Sequence, residues 1–126
     1  MSTTVCRTAA TAALSLLLGW PVVSWSQALA AAGFNSSSVS YLCAGGKRLQ
    51  VVYLNINDGP SFATLQYRGR MVLMKTLPTG SGATYGSVDE ALGYLWRTKS
   101  AEGHLYQRMS GGSGEEKVLL RDCRER

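Results

Sequence analysis

The chain contains one histidine, His104, and eight carboxylates in 126 residues, so few arrangements of proton-transfer groups are open to it. General acid–base work needs two titratable side chains aimed at one substrate. Glu115 and Glu116 are adjacent, and on a strand neighbours point to opposite faces. Asp89 and Glu90 share that defect and fall in a connecting segment. His104 sits in the alternating run GHLYQRM, with no second histidine to build a metal site. GSGAT and GGSGE both miss the G-x-S-x-G spacing of a nucleophile elbow. GSGATYG misses the dinucleotide fingerprint by one residue and opens no helix. The GGK at Gly45 to Lys47 lacks the rest of a phosphate loop. The residues therefore point to a binder and not to an enzyme, with neither a metal nor a cofactor expected.

The stretch that could do recognition is PTGSGATYG, Pro78 to Gly86, between the apolar runs MVLMKTL and ALGYLW. A hairpin needs only two to five loop residues, and this connector is longer. Gly80 and Gly82 flank Ser81 and allow the backbone to come close to another surface. A hydroxyl at such a tip both gives and accepts hydrogen bonds at little steric cost. Thr84 follows, and Tyr85 at the base is placed to pack and hold the shape of the loop.

The elements that must carry this loop are short strands. VSYLC, RLQVVYLN, SFATLQY, MVLMKTL, ATYG, GYLWRTK, GHLYQRM and EKVLLRDC follow one another, separated by turn-rich pieces such as AGGK, NDGP, RGR and SGGSG. VDEALGYL supports one helical turn at most. Eight short strands near ten-residue spacing make an all-β antiparallel barrel or sandwich, and a closed barrel removes edges that would aggregate. Trp96, Tyr53, Tyr67, Leu65, Leu73 and Val118 are the expected core or wall, with Met71 and Leu119 as further filling.

Residues 1–30 read as a secretory signal peptide. Arg7 precedes the run AATAALSLLLGWPVVSW, which is short for a membrane span and interrupted by Pro21. SQALA supplies small residues for cleavage after Ala30. Cys6 precedes the apolar run and Cys43 follows well after it, so no lipobox stands at the cleavage site. The expected mature form is exported to the periplasm without a membrane anchor. Residues 31–38 read as a flexible leader and 39–126 as the barrel domain. Loss of Cys6 leaves Cys43 and Cys123, an even pair in an oxidising compartment, and hence one disulfide. Closing a loop of that length is worth about 4 kcal/mol in the chain-entropy model. Loss of Arg7 leaves twelve basic residues against eight acidic ones. They are scattered without a block of like charge, which reads as a solvated basic surface and not a nucleic-acid site.

YLCAGG, SGATY, LWRTK and the C-terminal cysteine together resemble the membrane-bound and periplasmic inhibitors of c-type lysozyme. That family has a Y-x-C-x-x-G start, an S-G-x-A or S-G-A-[KR]-Y loop, a W-x-K-G segment and a closing cysteine. The resemblance covers Tyr41 to Cys123. It implies an eight-stranded antiparallel β-barrel and a c-type lysozyme as protein partner. It also implies a serine loop that enters the enzyme's cleft. The family's serine falls on Ser81 and its lysine on Lys99, the two groups that engage the catalytic carboxylates. Gly80, Gly82, Thr84 and Tyr85 complete the expected binding loop. Thr84 replaces the usual basic residue, Arg97 the second aromatic and Ser100 the glycine after the lysine. Oligomeric state, a homodimer included, is left open. The competing reading is a small calycin-like barrel holding an apolar ligand, and it requires an empty interior.

Overall fold

The computed structural model describes residue 19, residues 33–111 and residues 114–126. Apart from residue 19, the expected signal peptide, with its cleavage site and Cys6, and residues 31–32 lie outside the described residues.

Eight strands follow in chain order: β1 Phe34–Leu42, β2 Arg48–Ile56, β3 Ser61–Tyr67, β4 Arg70–Leu77, β5 Ala83–Ser87, β6 Tyr94–Lys99, β7 Glu102–Arg108 and β8 Glu116–Glu125. Short 3₁₀ turns at Ala44–Gly46 and Glu90–Leu92 are the helical elements among the described residues. Each strand pairs antiparallel with the next, and β8 returns to β1 through Tyr41–Glu125 and Leu42–Arg124, closing the barrel. A disulfide joins Cys43 and Cys123 across that closure. The all-β eight-stranded barrel and its bridge are thus as the sequence implied.

β1 starts earlier than its apolar alternation. Asn35 to Ser38 fell in the expected leader, yet they pair residue by residue with Asn55 to Val52 of β2. These side chains are exposed. Their strand character comes from backbone pairing to β2, which compensates for weak strand propensity.

The interior is filled. Trp96, Leu65, Met74, Leu105, Val51, Val72 and Cys123 are essentially inaccessible, and Tyr41, Leu49 and Ala63 pack with them. Trp96 occupies the space that a side chain at residue 103 would take; a Cβ on Gly103 would run into the indole. The empty interior demanded by the ligand-carrier reading is therefore replaced by a tryptophan-centred core.

Three expected wall residues face outward. Met71, Leu73 and Val118 are 63%, 50% and 50% exposed. The inward residues of β4 are Val72 and Met74, which stand beside Leu65 and Ala63 of β3. The run MVLMKTL is apolar at both parities, so its own pattern does not choose a face. Pairing with β3 chooses it. On β8 a bulge shifts the alternation, leaving Leu120 buried and Val118 outside. Tyr53, Tyr67 and Leu119 are partly buried against the core, while Leu65 and Trp96 lie within it.

Candidate functional site

The Ser81 loop and the end of β6 meet at one rim of the barrel. Gly82 brings them together. It holds a left-handed φ of 66°, and a Cβ there would collide with the carbonyl oxygen of Thr98 and crowd the Lys99 side chain. Only a glycine lets the loop lie this close to β6. Gly80 differs, since nothing stands within 4 Å of the place its Cβ would occupy. The Thr79 hydroxyl donates to the Ser81 carbonyl at 3.3 Å, a local clasp beneath the tip.

Ser81, Thr84 and Lys99 line one open concavity of about 920 Å³, together with Arg97, Glu102, His104, Tyr106, Arg124 and Glu125. Ser81 and Lys99 are exposed and Thr84 is half-buried. Tyr85 is not on this surface. It is buried, with its ring 5.6 Å from that of Tyr53. Burial pushes its phenol above the ordinary value. Tyr85 thus anchors the loop from inside the barrel, and its place in the expected binding loop is a supporting one.

The cations of the concavity are not equivalent. Arg97 forks onto Glu116 at 2.6 and 2.8 Å and lies 4.8 Å over the Tyr106 ring. This bidentate pair raises the guanidinium's pKa and lowers that of Glu116, the hydrogen bonds being the main cause in both. Arg124 lies 3.8 Å from Glu102. Lys99 alone among the lysines and arginines lining the concavity has no ion pair with the described residues. An ammonium left free at a concave rim is available to a carboxylate from outside.

His104 makes contacts that the sequence did not disclose. Between the Gly103–Cys123 and Leu105–Leu120 pairs it faces two residues, Arg121 and Asp122, in the bulge. The Asp122 amide donates to His104 Nδ1 at 3.2 Å, and His104 Nε2 lies 3.4 Å from Glu102. Donor atoms of Glu102, His104 and Asp122 lie within 4.8 Å of one another, a spacing a metal ion could use. Nδ1 is already engaged as an acceptor, however, which suits a local staple of β7 to the bulge better than a ligand set. The bulge that creates this cluster has no signature in the sequence. Arg97 and Glu116 could have been read only as one ion pair among many.

Inside the barrel a chain of polar groups leads to the same rim. Trp96 Nε1–H donates to the Tyr53 hydroxyl at 2.8 Å, which lies 2.9 Å from the Tyr41 hydroxyl, which in turn donates to Glu125 at 3.3 Å. Burial is the first cause of the raised pKa of both tyrosines. Each remains a neutral donor.

A closed barrel with a packed interior carries Ser81 and Lys99 together on one open concavity at its rim. The comparisons with known proteins place it further. The family model described as "Membrane-bound lysozyme-inhibitor of c-type lysozyme" matches residues 41–113, and the chain belongs to that family. A membrane-bound lysozyme inhibitor of C-type lysozyme from Pseudomonas aeruginosa is 30% identical over 95 residues, covering 75% of this chain and 69% of that protein. The crystal structure of the periplasmic lysozyme inhibitor PliC-St from Salmonella typhimurium shares the fold. Its TM-score is 0.61 at 24% identity, covering 72% of this chain and 98% of that one. Pseudomonas aeruginosa MliC, solved in complex with hen egg white lysozyme, superposes over the full length of both chains with a TM-score of 0.56 and 24% identity.

Proposed function

We propose that this protein inhibits c-type lysozyme by seating the Ser81 loop and Lys99 in the enzyme's active-site cleft. The observation that carries the reading is the meeting of Ser81 with an unpaired Lys99 in one concavity, in a member of a lysozyme-inhibitor family. Lysozyme chemistry needs one protonated carboxylic acid and one ionised carboxylate. The Lys99 ammonium complements the ionised group, and the Ser81 hydroxyl can hydrogen-bond to either. Closure of the loop into the cleft removes water from both contacts, where charge-assisted hydrogen bonds are strong. Gly82 keeps the finger thin and pressed against β6, so the two groups arrive as one unit. The relatives named as periplasmic or membrane-bound support an envelope location. There the protein would shield peptidoglycan after export by its N-terminal segment. The net positive charge offers no long-range attraction to a basic enzyme, so recognition depends on local fit.

The test is a cell-wall lysis assay with purified, oxidised residues 31–126 titrated into a c-type lysozyme, beside the S81A/K99A variant. Wild-type protein is expected to block lysis. The double variant should lose about 2–5 kcal/mol of binding, a loss of thirtyfold or more in potency. Equal potency of the two proteins would remove the Ser81–Lys99 mechanism, and no inhibition by either would remove the inhibitor reading.

A further inference from the structure

Lys99 shares its concavity with two carboxylates with which it makes no ion pair. Glu102 faces it directly across the β6–β7 hairpin. Opposite charges at facing positions of an antiparallel pair attract. Glu125 lines the same concavity. Both carboxylates have other polar partners near them. Glu102 Oε1 lies 3.4 Å from His104 Nε2, and its Oε2 lies 3.8 Å from Arg124 Nη2. Glu125 Oε1 accepts from the Tyr41 hydroxyl at 3.3 Å.

These partners are themselves oriented. His104 Nδ1 accepts the amide of Asp122, a bulge residue with a left-handed φ of 53°. A neutral imidazole whose Nδ1 accepts carries its proton on Nε2, the ring nitrogen that lies 3.4 Å from Glu102 Oε1. Tyr41 is set in the same way from within. The Tyr53 oxygen receives the indole N–H of Trp96. Because Tyr41 donates to Glu125, the Tyr53 hydroxyl proton is directed to the Tyr41 oxygen. The chain runs one way, from the core tryptophan to the rim carboxylate.

We propose that His104, Arg124 and Tyr41 are positioning residues that hold Glu102 and Glu125 off Lys99, so that its ammonium stays uncommitted until a carboxylate of the partner enzyme reaches it. The proposal rests on Lys99 being the partner-directed cation. A lysine already paired within its own chain would have to break that pair on binding, and affinity would fall accordingly.

Two measurements on the full mature domain test this. The variant H104N/R124A removes both of the groups beside Glu102, while the asparagine carbonyl stands near the place of Nδ1 and keeps an acceptor for the Asp122 amide. A water-soluble carbodiimide joins a carboxylate to an amine that touches it, and mass spectrometry reads the Lys99–Glu102 product without any enzyme present. The variant should give about threefold or more of this product relative to wild type. Its inhibition of c-type lysozyme should weaken about threefold to fivefold, the reach of an exposed ion pair. Adding E102Q to the variant should return inhibition to within about twofold of wild type. Y41F, which keeps the ring in its edge contact with Trp96, tests Glu125 in the same way through the Lys99–Glu125 product and keeps the test alive should H104N/R124A fail to fold. No increase in either cross-link would overturn the proposal. An increase without weaker inhibition would overturn the part of it that depends on Lys99 meeting the enzyme, and with it the reading of Lys99 as the partner-directed cation.

Discussion

Trp96 and Lys99 belong to the same short strand, Tyr94–Lys99, and are surrounded by opposite kinds of matter. Trp96 is fully buried, edge-on to Tyr41 with ring centroids 5.2 Å apart, and its indole N–H is satisfied by Tyr53. Lys99 is exposed, with carboxylates nearby that are committed elsewhere. The difference teaches how a small barrel separates two tasks. Inward positions of the strand hold the fold together. Its outward end, where the strand leaves the sheet, is released from packing and can serve a partner. A polar chain leads from Trp96 to Glu125, which lines the same concavity as Lys99.

That separation can be broken most forcefully at the core. W96A should cost about 3–5 kcal/mol of stability, because it opens a large cavity and leaves the Tyr53 hydroxyl without its donor. Urea denaturation of the oxidised domain measures it. A shift under about 1 kcal/mol would mean that the interior does not depend on the indole and that the contrast is overstated.

The rim is sharpened by comparing its two glycines. G82A forces a Cβ into the Thr98 carbonyl at a left-handed φ, whereas G80A enters open space. The strain of about 1–2 kcal/mol at residue 82 should push the loop away from Lys99. About tenfold in lysozyme inhibition should be lost. G80A should stay within about twofold of wild type. Equal losses in the two variants would show that the approach of the loop to β6 is not what organises the site.

The smallest effect concerns the Arg97–Glu116 fork beside the site. Its arginine side chain is 40% exposed and its glutamate 24%, so solvent screening limits the pair to about 0.5 kcal/mol. The folded Glu116 titrates below its ordinary value of 4.5, chiefly because Arg97 hydrogen-bonds to the ionised form. The stability it contributes is therefore present in full above that value and lost as pH falls through the depressed one. The stability difference between wild type and E116Q should shrink on acidification below 4.5. A difference that persisted unchanged into that acidic range would show that the carboxylate acts through packing and not through charge.

Much of the barrel was legible in the residues. SFATLQY lies between turn signals, and it is β3 from end to end. Cys43 and Cys123, the pair expected from the cysteine count, form the bridge. Less was legible where a run is apolar on both faces. Met71 and Leu73 were expected inside, but the partners offered by Leu65 and Ala63 turned Val72 and Met74 inward instead. The candidate site divides along the same line. Ser81 and Lys99 could be named from their motifs, while the carboxylates beside Lys99 and their custodians could not. A bulge in β8 puts Asp122 opposite His104, and bulges are set by ladder geometry with no local composition to announce them.

Local patterns by themselves determined the number of strands, the turns, the disulfide and the glycine-flanked serine, because alternation, turn chemistry and cysteine count act over a few residues or through simple parity. Tertiary structure alone decided which face of β4 is inside. It also decided that Tyr85 anchors the loop from below, that Gly82 and not Gly80 is sterically required, and that Lys99 has no ion pair among the described residues. Each of those facts depends on the register between paired strands, and register is fixed by the closed ladder as a whole.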